Sequence, residues 1–177
     1  MRKRWVVTAV IICIFLLICA MPLMRVYLKM QYENSIGELK VKYYRNQLEN
    51  AFSKQTAQFE AVANDFMNSG ETPYYNKWGN YENLTPAMEA AIIALQKECS
   101  AVLDEIYRTT EIHMTYPADA CVFSVTAMLG DDVWAWVEIV YTQNPVEPLY
   151  TNYEEAKAVG AVKELSQNWY LMTHYGY

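Results

Sequence analysis

Two histidines and four cysteines are the residues of this 177-residue chain best suited to nucleophilic or metal chemistry. The histidines are His113 and His174. A tetrahedral zinc site needs four sulfur or nitrogen ligands, usually in pairs a few residues apart, and no such spacing occurs. Cys13 and Cys19 fall in an apolar run, which leaves Cys99 and Cys121. These two are candidates for a disulfide that would close a loop of about twenty residues and contribute ~3 kcal/mol. Two buried free thiols are the alternative, since Cys packs well on apolar faces. A Cys121–His113 nucleophile–base dyad is open to the sequence, because such partners meet in space rather than along the chain. The acidic doublets Asp104-Glu105 and Glu154-Glu155 fall on predicted helix faces, where acids are solvated or cap a first turn. Asp131-Asp132 reads as a turn and lacks the flanking oxygen ligands of a calcium loop. GxSxG, P-loop and GxGxxG patterns are all absent from the sequence. No catalytic, metal or cofactor residue is therefore assigned, and the chain is read as a non-enzyme.

Aromatic side chains offer a different chemistry. Tyr74, Tyr75, Trp78 and Tyr81 crowd a segment rich in turn formers, and Trp134 and Trp136 alternate along a later strand. Tyr and Trp bury large area at low entropic cost, which suits stacking on sugar rings or gripping a peptide. These six are the candidate ligand-contact residues.

Several elements must position them. Trp5 to Met24 forms a run of 20 residues broken only by Thr8 and Pro22. As a helix it would span about 30 Å, the thickness of a bilayer's hydrocarbon core. The expectation is a transmembrane signal-anchor at 5–24. Arg2, Lys3 and Arg4 before it place a short tail, 1–4, in the cytoplasm and the body outside the cell. Secretion after signal-peptide cleavage is the alternative. Bulky Ile18 before Cys19-Ala20 makes a poor cleavage site. Residues 25–68 then read as one long helix or stalk, free of Pro between Val26 and Phe66. Its apolar seam, Val41, Leu48, Phe52, Phe59, Val62 and Phe66, is interrupted by Arg45 and Gln55. That seam would either self-associate as a coiled coil or lie along the chain's own domain.

The aromatic loop occupies 69–84, and 85–177 forms the body. Thr85-Pro86 starts a helix that runs, by its apolar spacing, to about Arg108-Thr109. Residues 112–116, 121–129 and 133–142 alternate as strands, the last two joined by a turn at 130–132. A capping box from Thr151 to Glu154 opens a helix to about Leu165, and Trp169 to Tyr175 tilts towards strand. The fold class is α+β: an N-terminal transmembrane helix continuing into a long amphipathic helix, then a small domain of two helices on an antiparallel sheet of three or four strands.

Charge narrows the partners. Beyond Arg25 there are 10 basic and 20 acidic residues, a net charge of −10. Sequence-independent nucleic-acid binding needs clustered Lys and Arg, so nucleic acid is excluded as a partner. The expected partners are the membrane, a protein or an envelope polymer, and a second copy through the stalk. The function implied is a single-pass, membrane-anchored extracytoplasmic binding or accessory module. In outline, a hydrophobic N-terminal helix leading into an α+β head also resembles type IV pilin-like proteins, which makes a filament subunit the alternative. That resemblance is one of architecture: the basic start is present, but the run holds no Gly and no acid precedes Glu33.

Overall fold

The structure is a computed structural model, and it describes residues 2–98, 103–110, 117–129, 133–146, 149 and 152–176. Within residues 2–34 only Met24 has its side chain described, and Glu98 is described by its backbone. Helix α1 (Arg2–Met67) is followed by the short strands β1 (Tyr74–Asn76) and β2 (Tyr81–Glu82). Helix α2 (Pro86–Glu98) precedes β3 (Glu105–Thr109), β4 (Ala120–Met128) and β5 (Trp134–Thr142). Helix α3 (Tyr153–Ala158), β6 (Val162–Ser166) and β7 (Trp169–Gly176) complete the chain. The strands form one antiparallel sheet in the order β2-β1-β3-β4-β5-β7-β6.

Strand alternation gives this sheet two faces. On one, Ile106, Phe123, Val125, Val137, Ile139 and Leu171 pack under α1 and α2. The seam residues Val41, Leu48, Phe52, Phe59, Val62 and Phe66 are buried in this same core. The long helix thus finds its apolar partner within its own chain. Gln55, one of the two polar interruptions of the seam, has non-helical backbone angles (φ −135°, ψ 29°) and kinks α1 there. On the other face Val122, Val140, Val162 and Met172 pack with Ala156 of α3. Both faces of β4 and β5 are covered, which accounts for their nearly continuous apolar sequence.

Several expectations need correction. The sheet has seven strands, not three or four. The helix from Thr85 does not run to Thr109: α2 is described as far as Glu98, and 105–109 is a strand, because Ile106 faces the core between Glu105 and Tyr107 and the segment pairs with both β1 and β4. The helix after Asn152 ends at Ala158. Gly160, at φ +75°, turns the chain in the left-handed region where a Cβ would be strained, and β6 begins two residues on. Its cap is Asn152, whose side chain accepts from the Glu155 amide at 3.2 Å. The aromatic segment is not a plain loop, since β1 and β2 extend the sheet edge. Strand 112–116 and turn 130–132 lie outside the described residues.

The expected membrane anchor is also corrected, and with it the single-pass localisation. Among the described residues, no helix is long and apolar enough to cross a membrane. Apart from Met24, the side chains of the 5–24 run lie outside that description.

Candidate functional site

The aromatic segment forms a hairpin pinned to the sheet at its turn. The Lys77 amide donates to the Asp104 carbonyl at 2.9 Å, and the Lys77 ammonium pairs with the Asp104 carboxylate. Asp104 is buried, and its other carboxylate oxygen accepts from the Thr126 amide at 2.6 Å. One side chain thus ties β1's turn to β4. The turn itself closes through Asn76, whose side chain accepts from the Trp78 amide at 2.8 Å. Gly79, at φ +97°, supplies the conformation that an L side chain resists.

The four aromatics of this hairpin divide by direction. Tyr75 faces the helix side, stacked on Tyr81 with ring centroids 5.3 Å apart, and its hydroxyl accepts from Gln96 at 3.0 Å. Tyr74 faces the opposite side and donates to Glu105 at 2.9 Å. Burial raises the pKa of both phenols above the ordinary tyrosine value, so each stays neutral and able to donate. Trp78 is 66% exposed and Tyr81 53%. The Lys77 ammonium lies 4.8 Å from the centre of the Trp78 ring. Beside the hairpin, Tyr74, Glu82, Glu105, Tyr107 and Arg108 line a cavity of about 410 Å³. Arg108 is committed elsewhere: it reaches Asp119 at 2.7 Å and the Ser69 carbonyl at 2.7 Å. Glu82 and Glu105 therefore give the cavity a net acidic character.

Trp134 and Trp136 do not join this group, since β3 and β4 lie between their strand and β1. Trp134 sits at the far end of β5, in register with Met128, and both are exposed. Trp136 packs on the β7 backbone, where a Cβ at Gly176 would come within 2.6 Å of its ring. The six candidate aromatics thus do not form one surface. Glu105, Tyr107 and Arg108 do not stand out as site residues in the sequence, because the apolar spacing carries the preceding helix through them. The alternation of Ile106 with polar neighbours was the available signal.

A second constellation lies within the sheet. His174 Nε2 stands 3.4 Å from Glu138 Oε2, and Glu138 is fully buried. Ser124 is the register partner of Glu138, whereas His174 is the register partner of Trp136. A hydrolytic triad sets the imidazole between hydroxyl and carboxylate. Here the carboxylate stands between the other two, so His174 is not placed to take the Ser124 proton. Burial lowers the His174 pKa to about 4, leaving a neutral ring at pH 7.

That shift carries a stability prediction. An unfolded histidine titrates near 6.5 and this one near 4, so on acidification the unfolded chain protonates first. Stability is full above pH 6.5 and falls between pH 6.5 and 4, by at most about 3 kcal/mol. Urea unfolding at pH 7 and pH 4.5 measures the loss, and His174→Gln flattens this part of the profile.

Cys121 is a fully buried free thiol, and burial pushes its pKa far above the usual range, so it is not a thiolate nucleophile. Its candidate partners Cys99 and His113 lie outside the described residues. Among the described residues, no group of three His, Cys, Asp or Glu side chains is arranged to hold a metal. No protein-family model, curated protein or solved structure matches this chain.

Proposed function

We propose that this chain is a non-enzymatic protein-binding module, and that its recognition surface is the β2-β1-β3 edge. The observation that carries this reading is a pinned hairpin at the sheet edge that exposes two rings, Trp78 and Tyr81, and carries an acidic cavity on the face opposite Tyr81. Exposed aromatics on a rigid support anchor partner chains at low entropic cost. The partner chemistry follows from charge. Glu82 and Glu105 face the cavity, and the chain beyond Arg25 stands at −10. The occupant is a segment of another protein that carries lysine or arginine between apolar or aromatic side chains. Lying extended along the β2 edge, it directs alternate side chains to opposite faces, so its cations meet the two carboxylates and its apolar groups lie on Tyr81 and Trp78. Complementary charge also speeds encounter and rejects acidic competitors.

Calorimetric titration with defined peptides tests this. A hexapeptide alternating Lys and Phe should bind, and its Glu-Phe counterpart should bind at least about tenfold more weakly. The double substitution Trp78→Ala and Tyr81→Ala alters two exposed rings. It should weaken the Lys-Phe peptide by about tenfold or more while leaving the unfolding midpoint close to that of the parent. Equal affinity for both peptides, or an unaffected double variant, defeats the proposal.

A further inference from the structure

Where β5 and β6 finish and β4 and β7 begin, two cavities of about 470 and 290 Å³ lie side by side against the second half of α1. They share Asn64 and Tyr141 and so form one cleft. Glu60, Asn64 and Asn68, spaced four apart on one row of α1, make its first wall. Gln167 and Asn168 of the β6–β7 turn and Gln143 and Asn144 after β5 make the other. Six of the chain's 18 Asn and Gln residues thus meet here, and among the described residues no Lys or Arg lines the cleft. Its supports are fixed. The Thr142 amide donates to the Asn168 carbonyl at 3.0 Å, which ties the β6–β7 turn to the end of β5. The Asn144 side chain donates to the Ala118 carbonyl at 2.6 Å, and Gln143 donates to the Tyr141 hydroxyl at 3.3 Å. Tyr141 packs on buried Trp169, with ring centres 5.0 Å apart. The exposed side-chain amides of Asn64, Asn68 and Gln167, by contrast, make no hydrogen bond among the described residues.

A side-chain amide presents a donor and an acceptor side by side, and so do two neighbouring hydroxyls of a sugar ring. An anion would be met by cations, and none lines this cleft. A peptide would need deep apolar anchor pockets, and the aliphatic walls here are Ala63 and Met67 alone among the described residues. We propose that this cleft binds a short neutral oligosaccharide. Its hydroxyls bond to the open amides of Asn64, Asn68 and Gln167, and one sugar ring lies against Tyr141. The cleft shares no lining residue with the acidic cavity of the protein-binding edge, so the two readings stand or fall separately.

The test is a titration of the intact chain, followed by side-chain amide resonances, with triacetylchitotriose, maltotriose and trigalacturonate. At least one of the two neutral trisaccharides should shift the amides of Asn64, Asn68 and Gln167 at millimolar concentration. Trigalacturonate should bind at least about threefold more weakly than that sugar, because Glu60 and the acidic body repel its carboxylates. Asn64→Ala, at the residue common to both cavities, should weaken the neutral sugar by about tenfold, and Gln167→Ala by about threefold. Both side chains are exposed, so each variant should keep the unfolding midpoint of the parent. The proposal is overturned if neither neutral trisaccharide shifts these amides, or if trigalacturonate binds as tightly. It is overturned equally if Asn64→Ala and Gln167→Ala leave the affinity unchanged, or if the Lys-Phe hexapeptide moves the same amides.

Discussion

Phe59→Ala is expected to destabilise the fold by about 4 kcal/mol, the largest effect of any single truncation considered. Phe59 has no exposed surface. Its ring centre lies 4.9 Å from that of Phe123 on β4, 5.5 Å from Phe52 and 6.2 Å from Trp169 on β7. Truncation removes the transfer free energy of the ring and opens a cavity whose aromatic walls, held by helix and sheet, cannot collapse to fill it. Edge-to-face contacts with Phe123 and Trp169 add to the loss. The position also follows the Gln55 kink, so Phe59 docks the second half of α1 onto the sheet. Urea denaturation measures the effect, and Phe59→Leu, which keeps most of the volume, should lose less than half as much. A loss below about 1 kcal/mol for Phe59→Ala would mean that α1 is not seated on the sheet as described.

Asp104→Ala ranks next, at about 3 kcal/mol. Asp104 is 4% exposed and serves two partners, the Lys77 ammonium and the Thr126 amide. The Lys77 side chain is 33% exposed and regains water when its partner is removed, so its share of the loss is small. Most of the cost falls on Thr126, whose amide is left inside the sheet without the carboxylate that accepted its proton. Asp104→Asn keeps an acceptor oxygen and should lose about 1 kcal/mol. The damage should also be local. Amide exchange should accelerate at Lys77 and Thr126 while Val137 and Leu171 in the sheet centre stay protected. Uniform acceleration across the sheet would show that Asp104 supports the whole fold rather than the hairpin.

Much of the architecture was legible, and the failures have physical causes. The seam from Val41 to Phe66 announced a helix with one apolar face, and the alternation on either side of 130–132 announced β4 and β5. The strand at 105–109 was hidden because Ile106 continues the helical spacing of Leu95, Cys99 and Leu103 as well as it fits an alternating strand. Only its pairing with β1 and β4 decides between them. β1 and β2 are two or three residues long, below the length at which periodicity speaks, and they exist because β3 offers an edge. The polar Lys163 and Glu164 let the helical pattern of α3 run on through β6 in the sequence, although Gly160 marks the stop. The transmembrane expectation rested on the length of one apolar run, and among the described residues no helix supports it.

The site was legible by composition and not by geometry. Clustered Tyr and Trp in 74–81 pointed to a contact surface, but which rings face the core depends on alternation within a three-residue strand. The acidic residues beside them come from β2 and β3, brought close by pairing rather than by sequence. The Glu138–His174 contact depends on the register of β5 against β7, which no local pattern encodes.

The most direct test of the protein-binding edge follows the indole N–H resonances of the five tryptophans while the Lys-Phe hexapeptide is added. Trp78 is predicted to move, together with the amides of Tyr81, Glu82 and Glu105. Trp134 at the far end of β5, Trp136 against Gly176 and buried Trp169 should stay in place. If the peptide moves Trp134 instead, or leaves Trp78 where it was, the β2-β1-β3 edge is not the recognition surface.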